Sequence, residues 1–178
     1  MIKIIDNLLP QHEWKTIHDY YLPNDESIEV DCPYMYLDHM VEKDHFQFVH
    51  PIATAREGGY FNRLRVNRVK PILDKLKVDF LLRCKVNLTT QTPTQLQSTF
   101  HCDSEQNNLT AIYYINTSNG KTRFKDENID DVDSVANRIV VFPSHMMHCT
   151  LTATDVKARV VININYLPHR GPAKIDYA

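Results

Sequence analysis

The sequence predicts a mainly β protein with helices gathered toward its N-terminal end. Three observations support that reading. The second half carries runs rich in Val, Ile, Thr, Tyr and Phe around residues 80–88, 109–116, 138–143 and 159–166. The first half instead carries apolar residues at helical spacing near 11–22 and 61–77. No repeat, low-complexity stretch or evident linker interrupts the 178 residues. They are expected to form one domain over 1–178, a helical support over about 1–78 and a β core over about 79–167. A chain of this length buries about 70% of its extended surface, enough to hold a site without disulfide staples.

Taken in order, Met1-Ile2-Lys3-Ile4-Ile5 reads as a short strand, and Pro10 introduces a helix near 11–22. Trp14, Ile17 and Tyr21 recur at helical spacing and form a core stripe. Residues 23–60 are irregular, rich in Tyr, His, Asp and Pro. They leave two readings open: strands around Tyr34 to Leu37 and His45 to Val49, or a lid. His39, His45 and His50 have no ligand-like spacing and read as polar loop or strand residues. From Phe61 to about Lys77, Phe61, Leu64, Val69, Ile72, Leu73 and Leu76 follow helical periodicity, with Pro71 kinking that helix or starting a second. Arg63, Arg65, Arg68 and Lys70 form its solvated face. Phe80-Leu81-Leu82-Arg83-Cys84-Lys85-Val86-Asn87-Leu88 begins the sheet.

Composition excludes several classes. A net charge of −2 gives no general attraction to nucleic acid phosphates. No apolar stretch approaches the roughly 20 residues of a membrane span, and no basic segment followed by an apolar core opens the chain, so a soluble cytoplasmic protein is expected. Cys32, Cys84, Cys102 and Cys149 lack C-x-x-C spacing, which argues against a cysteine zinc site. Cys102 and Cys149 adjoin histidines, but strand alternation would turn them away, as small buried hydrophobes.

The chemistry concentrates in His101-Cys102-Asp103, in His148, and in Arg159. On a strand, His101 and Asp103 would aim the same way, and a strand ending at Pro143 could return His148 beside them. Two imidazoles and one carboxylate on one face of Fe(II) leave positions open for a cosubstrate and dioxygen. Arg159 enters a β-prone run facing the same way as Val161, Asn163 and Asn165. A guanidinium in a half-buried strand needs an anion, and its planar fork suits a carboxylate.

These motifs resemble the 2-oxoglutarate and Fe(II)-dependent dioxygenases, specifically their compact prolyl-4-hydroxylase-like branch, over about residues 80–166. Leu109-Thr110-Ala111-Ile112-Tyr113-Tyr114-Ile115-Asn116 resembles the family's x-T-x-I-Y-Y-L-N strand. Gly120-Lys121-Thr122-Arg123-Phe124 is similar to its G-G-x-x-x-F stretch, and Phe142-Pro143-Ser144-His145-Met146-Met147-His148 to its F-P-S-x-x-x-H approach to the distal ligand. The resemblance implies a double-stranded β-helix, a cupin-like jelly roll of about eight strands with helices on its major sheet. Val86, Leu88, Val160, Ile162, Ile164 and Tyr166 should lie under those helices, with residues of opposite parity lining the barrel.

The resemblance further implies that His101, Asp103 and His148 bind Fe(II) and that Arg159 holds the remote carboxylate of 2-oxoglutarate, supported by the Tyr114 hydroxyl. His145 also follows Phe142-Pro143, and the family spacing favours His148 over it. Where the family often has Tyr-Pro this chain has Leu88-Thr89-Thr90, so Asn87 or Thr89 is expected to replace that tyrosine contact. The implied reaction uses O2, releases succinate and carbon dioxide, and hydroxylates an unactivated C–H bond. Its substrate would be a prolyl or other amino-acid or peptide side chain, or a free small molecule. Two other classes stand beside it: a non-catalytic cupin-like metal-binding or sensing protein, which would need neither Arg159 nor Tyr114, and a zinc hydrolase, for which no general base is apparent.

Overall fold

In the computed structural model, which describes residues 2–23, 32–38, 46–55 and 58–169, two antiparallel sheets form a jelly roll with two helices on the outer face of the larger one. The elements are β1 (Lys3–Ile5), α1 (Gln11–Tyr21), β2 (Met35–Leu37), β3 (Gln47–Thr54), β4 (Tyr60–Phe61), α2 (Arg63–Leu76), β5 (Val78–Thr90), β6 (Leu109–Tyr114), β7 (Ser118–Phe124), β8 (Val132–Ser134), β9 (Ile139–Pro143), β10 (His148–Leu151) and β11 (Ala158–Pro168). The larger sheet runs β1-β9-β6-β11-β5-β3-β2, with β4 also paired to β3. The smaller runs β10-β7-β8. No described helix is long and apolar enough to cross a membrane.

The period-2 pattern of β5 and β11 fixes which face is which. Val86, Val160, Ile162, Ile164 and Tyr166 are buried in one cluster with Leu8, Leu9, Ile17, Tyr21, Val69, Ile72 and Leu73, and Leu88 packs against it. Full burial of such a side chain is worth roughly 1.5–3 kcal/mol. A one-residue slip of β11 would turn its apolar residues into the polar cavity, so register is strongly specified. The opposite face of the sheet presents Lys85, Asn87, Arg159, Val161 and Asn163 to an internal cavity. Between the sheets, Ile112, Tyr114 and Val161 meet Phe124, Val132, Val140 and Phe142 in a second cluster.

Helix α1 follows Pro10 and buries Ile17 and Tyr21, and Trp14 packs at the core edge with its indole N–H donating to the Ile115 carbonyl at 3.0 Å. Helix α2 starts on Asn62, whose side chain accepts from the Arg65 amide, and ends on Lys77 in the left-handed conformation. Pro71 starts no second helix; α2 continues through it to Leu76. The expected apolar stripe begins too early. Phe61 belongs to β4, and Phe61 and Leu64 are 66% and 77% exposed, because the face of α2 that meets the core is Val69, Ile72 and Leu73, with Val66 and Leu76 packed at its edge. Nor is the basic face purely solvated: Arg65 donates to the Pro51 carbonyl, and Arg68 lies 3.9 Å over the Tyr20 ring.

The strand expected at Tyr34 to Leu37 is β2. The next extends to Thr54 as β3, passing Pro51 by a register shift beside it. His50 on β3 is fully buried between Tyr21 and Tyr34, while His39 and His45 lie outside the described residues, as do 24–31, 39–45 and 56–57 of the segment that could form a lid. One residue without a sequence signal ties the N-terminal segment to the sheet. Asn137, in the left-handed region at φ 63°, accepts from the Leu9 amide and the Tyr113 hydroxyl and donates to the Leu9 carbonyl.

Candidate metal centre and anion seat

The side chains of His101, Asp103 and His148 converge, with one potential ligand atom from each lying within 4.8 Å of the others. His148 opens β10. Its distant partner arrives by backbone pairing rather than as part of a strand: His101 and His148 exchange two backbone hydrogen bonds, of 3.0 and 2.9 Å, in an isolated bridge. The Asp103 amide then donates to the Ser144 carbonyl at 3.0 Å. Strand alternation therefore does not govern Cys102, which is half-buried and lines the cavity instead of turning away from it. Cys149 lies within β10 and is buried, which pushes its thiol up to about 11.

Each group is held for ligation. Nδ1 of His101 lies 3.2 Å from the Thr99 carbonyl, and Nδ1 of His148 lies 3.0 Å from the Met146 carbonyl. When each Nδ1–H donates to its carbonyl, Nε2 keeps its lone pair for a metal. Oδ2 of Asp103 accepts from Thr110 Oγ1 at 3.0 Å, Asn165 Nδ2 at 3.1 Å and Asn163 Nδ2 at 3.3 Å. Burial alone would raise the Asp103 carboxyl, but the charge of His148 and these hydrogen bonds outweigh it and hold it below the ordinary aspartate value. Burial lowers His148 against the pull of the Met146 carbonyl and Asp103. A carboxylate and two imidazole Nε2 atoms are the donor set that divalent first-row metals take, and binding the metal displaces any proton on those nitrogens.

Arg159 stands on the same inner face, from β11, and is 3% exposed. Its Nε donates to Ser134 Oγ at 2.7 Å, its guanidinium carbon lies 5.6 Å from the Tyr114 ring centroid, and its Nη2 has no hydrogen-bond partner among the described residues. Burial lowers its pKa, partly offset by Tyr114, yet a guanidinium keeps its charge, so the site calls for an anion. Gly120 makes room for it. A Cβ there would stand 2.6 Å from Arg159 Cδ and 2.9 Å from the Leu151 carbonyl oxygen.

The cavity, about 330 Å³, is lined by Arg159 and by all three members of the triad. Asn87 lines it too, with its buried Oδ1 unpartnered among the described residues. Thr89 is the cross-strand partner of Arg159 and has a buried, equally unpartnered Oγ1. The Tyr114 hydroxyl donates to Thr122 Oγ1 at 2.8 Å, and Thr122 rather than Tyr114 lines the cavity. His145 is exposed and outside the triad. Thr110, Ser144, Asn163 and Asn165, which hold Asp103, and Ser134, which holds Arg159, escaped the sequence reading as site residues. Parity was the signal for three of them: Thr110 shares a strand face with Ile112 and Tyr114, and Asn163 and Asn165 share one with Arg159.

Solved structures decide what architecture surrounds this site. A 2-oxoglutarate and Fe(II) oxygenase family member from Burkholderia pseudomallei superposes with a TM-score of 0.67 at 13% identity, covering 96% of this chain and 86% of that one. This chain carries the fold of the 2-oxoglutarate and Fe(II) oxygenases. A prolyl hydroxylase from Trichoplax adhaerens, solved with a hypoxia inducible factor peptide fragment, superposes at 0.60 with 14% identity, over 93% of this chain and 83% of that one. An epimerase of nogalamycin biosynthesis, solved with Fe3+, α-ketoglutarate and a nogalamycin compound, superposes at 0.61 with 11% identity, over 94% and 78%. No protein-family model and no curated protein sequence matches the chain.

Proposed function

We propose that this protein is an Fe(II)- and 2-oxoglutarate-dependent oxygenase that hydroxylates an unactivated C–H bond. The observation that carries the reading is Arg159: a buried, charged guanidinium whose Nη2 has no partner among the described residues faces the same cavity as a two-histidine, one-carboxylate cluster. A protein that held a metal for stability or sensing would have no use for it. Fe(II), 2-oxoglutarate and O2 together supply the oxidising power, the oxo acid leaving as succinate and carbon dioxide while one oxygen atom enters the substrate.

The chain's own residues bind, orient and exclude. His101, Asp103 and His148 are the proposed metal ligands, with the carbonyls of Thr99 and Met146 setting the imidazole tautomers. Thr110, Asn163 and Asn165 keep the Asp103 carboxylate ionised and fixed. Arg159, oriented by Ser134, takes the remote carboxylate of the cosubstrate, and Thr89 and Asn87 offer it further polar contacts. Tyr114 supports the same end through Thr122 and its ring. Val161 and Ile112 are apolar walls of the cavity and limit water there. A prolyl or other amino-acid side chain, free or in a peptide, is the proposed substrate, in keeping with the peptide-bound prolyl hydroxylase among the structural neighbours.

The test is anaerobic addition of Fe(II) and 2-oxoglutarate. Chelation of the metal by the oxo acid should give a weak visible charge-transfer band that His148→Ala abolishes. A wild-type protein that binds neither, or a band unchanged in His148→Ala, would refute the assignment.

A further inference from the structure

One hydrogen-bond acceptor in the cavity has nothing to accept from. Asn163, on β11, is 6% exposed and lines the cavity, and its buried Oδ1 has no partner among the described residues. Its cross-strand neighbour Lys85 has an interaction of its own and does not bond it. A buried carbonyl oxygen without a donor is costly, so the position calls for one.

The orientation of this amide is fixed. Nδ2 of Asn163 donates to Asp103 Oδ2 at 3.3 Å, and exchanging its nitrogen and oxygen would set a carbonyl oxygen against a carboxylate oxygen. Oδ1 therefore stays the atom left over, beside the triad. Asn87 differs: its Oδ1 is also unpartnered, but no bond to a described side chain pins its amide, so it can turn its NH2 toward an anion.

The cosubstrate cannot satisfy Asn163. At neutral pH 2-oxoglutarate carries two carboxylates and a keto oxygen, acceptors throughout, and it has no N–H or O–H to give even where it lies against the triad. The donor must come from another species beside Asp103.

We infer that Asn163 is a specificity-determining residue, its Oδ1 accepting from a backbone N–H of the substrate so that a carbon a few bonds from that nitrogen faces the triad. The inference deepens the oxygenase reading and rests on it for the reaction, but not for the binding preference. Among amino-acid substrates it favours free amino acids and peptide residues other than proline, because a peptidyl proline has no N–H on its own nitrogen. A site with a buried acceptor rejects an analogue that lacks the donor, since binding it leaves the oxygen unpaired.

The experiment is calorimetric titration of protein loaded with nickel(II) and 2-oxoglutarate, which cannot turn over. The probes are the N-acetyl methyl esters of leucine, valine and phenylalanine, each with one N–H, against the 2-acetoxy methyl esters in which an ester oxygen replaces that N–H. N-acetylproline methyl ester is a further probe without a donor. The expected result is at least one N–H probe binding about tenfold or more tighter than its acetoxy counterpart and than the proline ester. In Asn163→Leu the preference should fall below about threefold. In Asn165→Leu, which also removes a donor to Asp103 but leaves the Asn163 acceptor, it should persist. Equal binding within every pair, as expected if Oδ1 serves only a water, binding of no N–H probe, or a preference that survives Asn163→Leu would each overturn the inference. The paired comparison is made on wild-type protein and does not depend on a variant folding. If 2-oxoglutarate itself does not bind, the oxygenase reading fails separately, and the same pairs on metal-loaded protein still decide the role of Asn163.

Discussion

Gly120→Ala places the smallest possible side chain against the residue on which the functional reading rests. The added Cβ would stand 2.6 Å from Arg159 Cδ, 3.0 Å from Arg159 Nε and 2.9 Å from the Leu151 carbonyl oxygen. Ordinary van der Waals contact begins at 3.4 Å, so Cδ must retreat by the difference between 3.4 and 2.6 Å, 0.8 Å. The backbone offers little relief, because β7 is paired through Lys121 to Leu151 itself. The arginine must therefore move, and Nε, which itself has to give 0.4 Å, is drawn against its 2.7 Å bond to Ser134, so that the guanidinium leaves its place in the cavity.

Two costs follow, with separate readouts. Overpacking should lower stability by about 1–3 kcal/mol, read from urea unfolding. Loss of a charge-assisted carboxylate contact, about 1.5–3 kcal/mol, should weaken 2-oxoglutarate binding by roughly ten- to a hundredfold in calorimetry on the nickel-loaded protein. Metal affinity should stay at the wild-type value, since none of the three atoms nearest the added methyl belongs to the triad. A folded Gly120→Ala protein with undiminished 2-oxoglutarate affinity would show that Arg159 is not the anion seat.

Further outcomes follow from the same geometry. Arg159→Ala should weaken 2-oxoglutarate by at least the same factor with iron binding nearly intact, and unchanged turnover at limiting 2-oxoglutarate would contradict its role. Thr110→Val removes a donor to Asp103 and should cost about ten- to a hundredfold in metal affinity, measured by chelator competition; an unaltered constant would mean Asp103 is oriented without it. Asn137→Ala deletes three buried hydrogen bonds and leaves a non-glycine residue at positive φ, so stability should fall by about 2–4 kcal/mol with metal binding preserved. A loss below about 0.5 kcal/mol in urea unfolding would remove it as the tie between the N-terminal segment and the sheet.

Much of this was legible because side-chain alternation is a strict rule inside long strands. On β6, Thr110, Ile112 and Tyr114 face the space between the sheets while Ala111 and Tyr113, and Ile115 just beyond the strand, face the helices, as their parity required. On β11 the same rule put Arg159, Val161, Asn163 and Asn165 on one side. The rule failed where no strand forms. His101 and Asp103 approach His148 through an isolated bridge and one amide bond to Ser144, so Cys102 is free to line the cavity. Helical periodicity failed similarly at Phe61 and Leu64, whose spacing continues the stripe of α2 beyond the part that meets the sheet. The supporting polar residues were invisible for another reason. Thr110, Ser134, Ser144 and Asn137 are ordinary strand and turn residues until a partner remote in sequence gives each hydroxyl or amide its task.

The most direct test of the central claim is a crystal structure of the protein with nickel(II) and 2-oxoglutarate. The ion should be bound by His101, Asp103 and His148, and the remote carboxylate of the diacid should accept from Arg159 Nη2. An ion elsewhere, or a diacid carboxylate seated on Lys85 and Arg83 with Arg159 unengaged, would contradict it.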